Sequence, residues 1–258
     1  MKNLLMIAYF FPPLGGPGVQ RVQKFVKYLP AFGWQPQILT VKNIEYIAYD
    51  NSLLSEIGNA RIYRSESLDP MRLLYFFEKI RLKKRERIYR KIPENKKKFW
   101  RDVFPIDSKI GWLPFALQKG KYILKIQKTD VIYATVGPYS NALVGYLLAK
   151  RFRLPLIIDY RDLWKGKPDI TYFSRWHRKV AEKWEKKILE FAEKIIVNTQ
   201  FSKEKIQKLF PEIETKKFTV IYNGWDKNDF SENFSKKNGK KIIFTYTGGF
   251  YGERTPKY

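Results

Sequence analysis

The sequence predicts an α/β protein built on a Rossmann-like, doubly wound parallel sheet. Three observations carry this. Short continuous apolar runs recur along the 258 residues, as expected for strands buried on both faces. Segments with helical apolar spacing follow most of them. Glycine- and proline-bearing turns sit at the strand ends, where such sheets place their ligand-binding loops.

In chain order, Leu4–Tyr9 is the first apolar run. The stretch FFPPLGGPGVQR, Phe10 to Arg21, crowds prolines and glycines into one turn. Val19–Ala31 then places Val22, Phe25, Val26 and Leu29 on one helical face, with Gly33 as its C-terminal stop. PQILTV reads as a second strand and ARIYR as a weak third. DVIYATVGPYS gives a strand at Val131–Ala134 and a turn at Gly137-Pro138, before a helix at Asn141–Arg151. LPLIIDYRDLW is a strand ending in charges. Ser174–Phe191 is a long basic helix, and KIIVNTQFS a further strand. Ser202 is the expected N-cap of a helix at Lys203–Leu209. FTVIYNGWD closes the series with Asn223-Gly224 at its end.

Two stretches break the rhythm. Residues 69–128 show no clear βα repeat and read as a basic helical insertion, with Leu73, Leu74, Phe76, Phe77 and Ile80 beside dense Arg and Lys. Such a segment is either a solvated helix face or a surface for acidic lipid. Residues 231–240 read as a polar linker, and Lys241–Gly249 as a fresh strand. The expected organisation is therefore an N-terminal domain over 1–230, a linker over 231–240, and the start of a truncated second domain over 241–258.

Composition bounds the function. Fifty Lys and Arg against 25 Asp and Glu give a net charge of +25. A charge that large selects anionic partners: nucleic acid, an acidic membrane surface or phosphorylated small molecules. The absence of cysteine excludes a disulfide framework and a thiolate metal site, and suits a reducing compartment. A single histidine, His177, argues against a His-based triad or metal site. No apolar run approaches the ~18–20 residues of a membrane span. The opening run stops at Pro12-Pro13 with no small-residue cleavage pattern, so it reads as a strand and not a signal peptide.

The turns carry the chemistry. Gly15, Gly16 and Gly18 precede a helix N-terminus, which fits either a phosphate or sugar cradle or a tight turn with no ligand. No Lys-Ser/Thr follows, so this is not a Walker A loop. Asp159, Arg161, Asp162 and Trp164 crowd one strand end, either to orient a polar ligand or as a structural Asp–Arg pair. Two alternatives come from other classes. A nucleic-acid-binding module accounts for the charge, but no helix-turn-helix, RRM or zinc pattern is present. A Rossmann oxidoreductase accounts for the fold. However, GPGVQR puts Arg21 where a third glycine belongs, and ILTVKN lacks the acidic residue that would hold a ribose.

The ordered set of motifs resembles the N-terminal half of GT-B glycosyltransferases of family 4, retaining enzymes of bacterial surface polysaccharide synthesis. MIAYFFPPLGGPGVQRVQKFVKYLPAFGWQPQILT is similar to the family opening. DVIYATVGPYS, PLIIDYRDLW, IIVNTQFSKEKI and VIYNGWDKNDF follow in family order, and FTYTGGFYGERTP resembles the start of the second Rossmann domain. The resemblance implies transfer of a sugar from a nucleotide diphosphate sugar to a glycan or lipid-linked acceptor, without a metal cofactor. It places Gly15 and Gly16 against the donor phosphates or sugar, and Arg254 at the leaving diphosphate. Pro138, Tyr139, Ser140, Asn223 and Gly224 are implied to line the acceptor side or cleft. Arg161 and Asp162 fall at the catalytic strand end. Many relatives carry His at the position of Arg161. A guanidinium cannot exchange a proton near neutral pH, so Arg161 is expected to bind or orient. The resemblance further implies a cytoplasmic enzyme, peripheral on the inner face of the plasma membrane. The lack of a nucleic-acid-binding motif argues against a nucleic-acid partner, and a chain without its donor domain is expected to be inactive.

Overall fold

A computed structural model describes residues 1–46, 48–73, 75, 104–165, 172–230 and 245. Contacts divide the chain into two compact units, Met1–Gly224 and Trp225–Tyr258. The basic run from 76 to 103, the linker, the strand expected at 241–249 apart from residue 245, and Arg254 lie outside the described residues.

The first unit is a seven-stranded, all-parallel sheet. Its strands and main helices are β1 (Lys2–Ile7), α1 (Pro17–Tyr28), β2 (Trp34–Val41), α2 (Ser52–Ser55) and β3 (Arg61–Ser65). They continue with α3 (Leu113–Ile126), β4 (Val131–Thr135), α4 (Ser140–Phe152) and β5 (Leu156–Tyr160). α5 (Arg175–Phe191), β6 (Lys194–Val197), α6 (Gln200–Leu209) and β7 (Phe218–Val220) complete the unit. The order β3-β2-β1-β4-β5-β6-β7 reverses direction between β1 and β4. That reversal opens a crevice at the carboxyl ends of the two strands.

Strand alternation divides the core. In β1, Leu4 and Met6 face one way and pack with Val22 and Val26 of α1. Leu5 and Ile7 face the other way, towards Ala116 and Ile123 of α3 and Leu148 of α4. Every residue of β4 is buried, as a central parallel strand covered on both faces requires. Each fully buried Leu or Ile stabilises the fold by roughly 1.5–3 kcal/mol. α4 sits close on the sheet because Gly145 has no side chain: a Cβ there would lie 2.8 Å from Ala134 Cβ.

Two sequence expectations need correction. The 69–128 stretch, read as a helical insertion outside the βα rhythm, continues that rhythm in its last part: α3 is a described helix between β3 and β4. Its spacing is masked in sequence by Lys119, Lys121 and Lys125 between the apolar positions. α6 begins at Gln200, not Lys203, and its N-cap is Thr199, whose hydroxyl accepts the Ser202 N–H at 3.0 Å. Ser202 already lies in the first turn, and its hydroxyl bonds back to Asn198 Oδ1 at 3.2 Å.

The second unit is described from Trp225 to Phe230. There the Asp226 carboxylate accepts the Asn228 N–H at 3.0 Å and starts a single 3-10 turn, Lys227–Asp229.

Candidate functional site

The glycine turn after β1 is laced to the chain that follows β2. Gly15 N–H donates to Ala48 O at 2.9 Å, and Asp50 N–H donates to Pro13 O at 2.7 Å. Gly16 is the N-cap of α1 at φ 93, ψ 169, a conformation essentially reserved for glycine. No side chain caps α1, no acid lies in its first turn, and Pro17 occupies a leading position. The partly positive end of this helix is therefore met neither by a capping side chain nor by an acid of its own first turn. A Cβ on Gly16 would meet nothing within 4 Å, so the turn borders open space.

Across the crevice stands the β4–α4 turn, with a cis bond at Gly137-Pro138. Arg161, just past β5, ties the two turns together. Its Nη1 donates to Gly18 O at 2.7 Å, its Nη2 to Gly137 O at 3.3 Å and its Nε to Val136 O at 3.4 Å. One guanidinium thus holds both walls through backbone carbonyls. Asn198, at the end of β6, steadies it by donating to Arg161 O at 2.9 Å. The next residue, Asp162, is exposed. Its Oδ2 lies 3.1 Å from where a Cβ on Gly137 would stand. It therefore presents a carboxylate at the crevice.

The Asp–Arg pair at this strand end does not join the sequence neighbours. Asp159, fully buried, takes both oxygens to Arg21 of α1, at 3.0 and 3.1 Å. Arg21 Nη1 also donates to Tyr222 O at 3.2 Å and to Asn223 Oδ1 at 3.1 Å. Arg21 therefore joins α1 to the ends of β5 and β7.

Other expected residues fall in different surroundings. Pro138, Tyr139 and Ser140 are buried. The Tyr139 hydroxyl donates to Leu163 O at 2.7 Å, and its ring stacks on Trp164 at 4.6 Å and 9°. The Ser140 hydroxyl donates to Asp107 Oδ1 at 2.6 Å and its N–H to Oδ2 at 2.7 Å. These three shape the wall from behind. Asn223 and Gly224 are exposed at the β7 end.

Sequence reasoning missed the groups behind the crevice. Asn141 joins the ends of β1 and β4, accepting Tyr9 N–H at 3.2 Å and donating to Thr135 O at 2.8 Å. Its place at a helix start was the available signal. Asp69 gathers the Tyr9 hydroxyl at 2.6 Å and Lys109 Nζ at 3.3 Å in the interior. Burial pushes the Lys109 ammonium down, and Asp69 pulls it back up. Burial raises the Asp107 carboxyl, against the hydrogen bonds from Ser140. Behind the Arg161–Asp162 loop, buried Glu185 of α5 accepts Lys165 N–H at 3.1 and 3.0 Å and the Tyr160 hydroxyl. Burial pushes its carboxyl up to about 7. No short motif marks these partners, because they come from distant elements.

The chain was compared with known proteins. The model of the family described as Glycosyltransferase Family 4 matches residues 18–229. No curated protein matches. Among solved structures, a sucrose-phosphate synthase from Thermosynechococcus elongatus matches with a TM-score of 0.52 at 17% identity, covering 88% of this chain and 49% of that one. A glycosyltransferase from Rickettsia africae ESF-5 matches with a TM-score of 0.44 at 16% identity, covering 86% and 43%. The chain spans about half the length of these structures. The family match takes in α1 from Gly18, the β4–α4 turn and the β5, β6 and β7 ends, and on it the chain belongs to glycosyltransferase family 4.

Proposed function

We propose that this domain is the acceptor-side half of a retaining glycosyltransferase. It transfers a sugar from a nucleotide diphosphate sugar to a hydroxyl of a glycan or lipid-linked acceptor in cell-envelope polysaccharide synthesis. The observation that carries the reading is Asp162: an exposed carboxylate at a switch-point crevice whose two walls are tied by Arg161. A carboxylate accepts hydrogen bonds only, which suits holding and orienting sugar hydroxyls. Arg161 positions that loop and lends positive charge beside it. The uncapped α1 N-terminus behind Gly16 favours the diphosphate, and its charge is met by such groups without a metal. Arg254 remains the candidate cation for the leaving group. The reaction takes place at the inner face of the membrane, where the net charge of +25 favours an anionic leaflet.

The test uses the full-length protein and a panel of nucleotide diphosphate sugars. One donor is expected to raise the melting temperature and to release nucleoside diphosphate when acceptor is added. Asp162→Asn should lower kcat by about a hundredfold, as loss of a transition-state contact does. Its stability should change by less than about 0.5 kcal/mol, because the side chain is exposed. Full turnover in Asp162→Asn, or no stabilising donor in the panel, would overturn the reading.

A further inference from the structure

The outer face of α5 carries a row of charge that no described ion pair uses. Arg175, Lys179 and Lys183 follow one another at four-residue spacing, so they share one side of the helix, and all three are exposed. None makes an ion pair among the described residues, whereas Lys186, further along, pairs with Glu212 at 2.7 Å. Glu182, at the edge of the row, lies 4.0 Å from Lys165. Two large aromatic side chains stand at the N-terminal end of the row. Phe173 is 70% exposed and Trp176 is 62% exposed. Both meet the ring of His177 edge-on, at 5.7 and 5.0 Å.

Water is a poor environment for two such rings, and the cations beside them repel a basic partner and attract an acidic one. Charge complementarity selects a polyanionic surface, and the rings select one that accepts apolar groups at its boundary. A second copy of this face would meet like charge with like charge. We propose that this face of α5 docks on the headgroup layer of an anionic lipid bilayer, with Phe173 and Trp176 inserted at the interface and Arg175, Lys179 and Lys183 on the lipid phosphates. α5 follows β5, so its N-terminal end lies at the carboxyl edge of the sheet, the same edge as the crevice. The aromatic end of the docking face is therefore the end nearest the transfer site. The proposal rests on the membrane setting of the transferase reading and names the surface that makes the contact.

The test is co-sedimentation of the full-length protein with vesicles of phosphatidylcholine alone and of phosphatidylcholine mixed with phosphatidylglycerol. Binding is expected only to the mixture. Arg175→Gln/Lys179→Gln/Lys183→Gln should weaken it by about tenfold or more, while the charge-preserving Arg175→Lys/Lys179→Arg/Lys183→Arg should retain it. Phe173→Ser/Trp176→Ser should also weaken it. Brominated lipid should quench tryptophan fluorescence in the parent more than in Trp176→Phe. Equal binding to both vesicles, or unchanged binding in the glutamine variant, would overturn the proposal. So would binding of single-stranded DNA, lost in the same variants, with no binding to vesicles. Vesicle binding needs no donor or turnover, so its failure leaves the transfer reading standing, and a failed turnover assay leaves this one standing.

Discussion

Arg21 is a residue whose removal should be felt across the unit. Its partner Asp159 is fully buried and holds both oxygens against the guanidinium. Taking away the cation leaves a buried carboxylate with its charge uncompensated, which costs about 3–5 kcal/mol. Arg21→Ala should therefore lower the urea unfolding free energy by that order, and Arg21→Met/Asp159→Leu should recover much of it. A loss no larger than that of an exposed Arg→Ala would mean the pair contributes little. Gly16 is the contrasting case. Its side-chain space is open, so bulk is not the constraint in the free protein. Its backbone at φ 93, ψ 169 is the constraint, and a side chain there costs on the order of 1–3 kcal/mol. Gly16→Ala should destabilise by that amount with no clash to relieve, whereas Gly18→Ala, with no contact to offend, should be far milder.

Among the elements, α5 serves the site from behind. Glu185 grips the loop that carries Arg161 and Asp162 through Lys165 N–H and Tyr160. Desolvation raises its carboxyl from 4.5 in the open chain to about 7. Between those values the folded state holds a proton that the unfolded chain has released. Its contribution is thus fully present below about 4.5, is lost as pH rises through about 7, and amounts to about 3 kcal/mol at most. Glu56, held down to about 2 chiefly by its bond to Lys24, titrates below that window and does not confuse it. Urea unfolding on either side of the window should show the parent losing stability with rising pH more than Glu185→Gln does; parallel profiles would count against the assignment. Local patterns announced most of the elements: strands by apolar runs, turns by glycine and proline, α5 as a long basic helix, but not α3, whose lysines hid its spacing. What they could not announce was partnership. The Asp–Arg pair visible in DYRDLW lies 138 residues apart in the chain, since Asp159 reaches Arg21 and not Arg161. Thr199 caps α6 although Ser202 stands closer to the strongest helical pattern, because the capping hydroxyl must precede the first turn. Arg161 and Asp162 were legible as candidates because charges at a strand end are conspicuous. Glu185 was not, because an acid inside a basic helix reads as a surface residue.

For the whole molecule the governing quantity is the net charge of +25. Cations outnumber anions two to one, so after each acid is matched many Lys and Arg still face only one another. The described ion pairs show the shortage: Lys24 and Lys27 share the single carboxylate of Glu56, at 2.7 and 2.8 Å. Self-repulsion of this kind destabilises the compact state, because unfolding moves the charges apart. Salt shortens the reach of each charge to about 10 Å at 0.1 M, which weakens the many long repulsions more than the few close attractions. Raising sodium chloride from a few millimolar to physiological strength should therefore increase the unfolding free energy, on the order of 1 kcal/mol. The same salt should weaken binding to anionic vesicles, because that attraction acts between exposed charges. Stability and membrane affinity should thus move in opposite directions along one salt series. A protein whose stability fell with salt would be held together by its surface pairs, and the excess charge would then need a partner in the folded state itself.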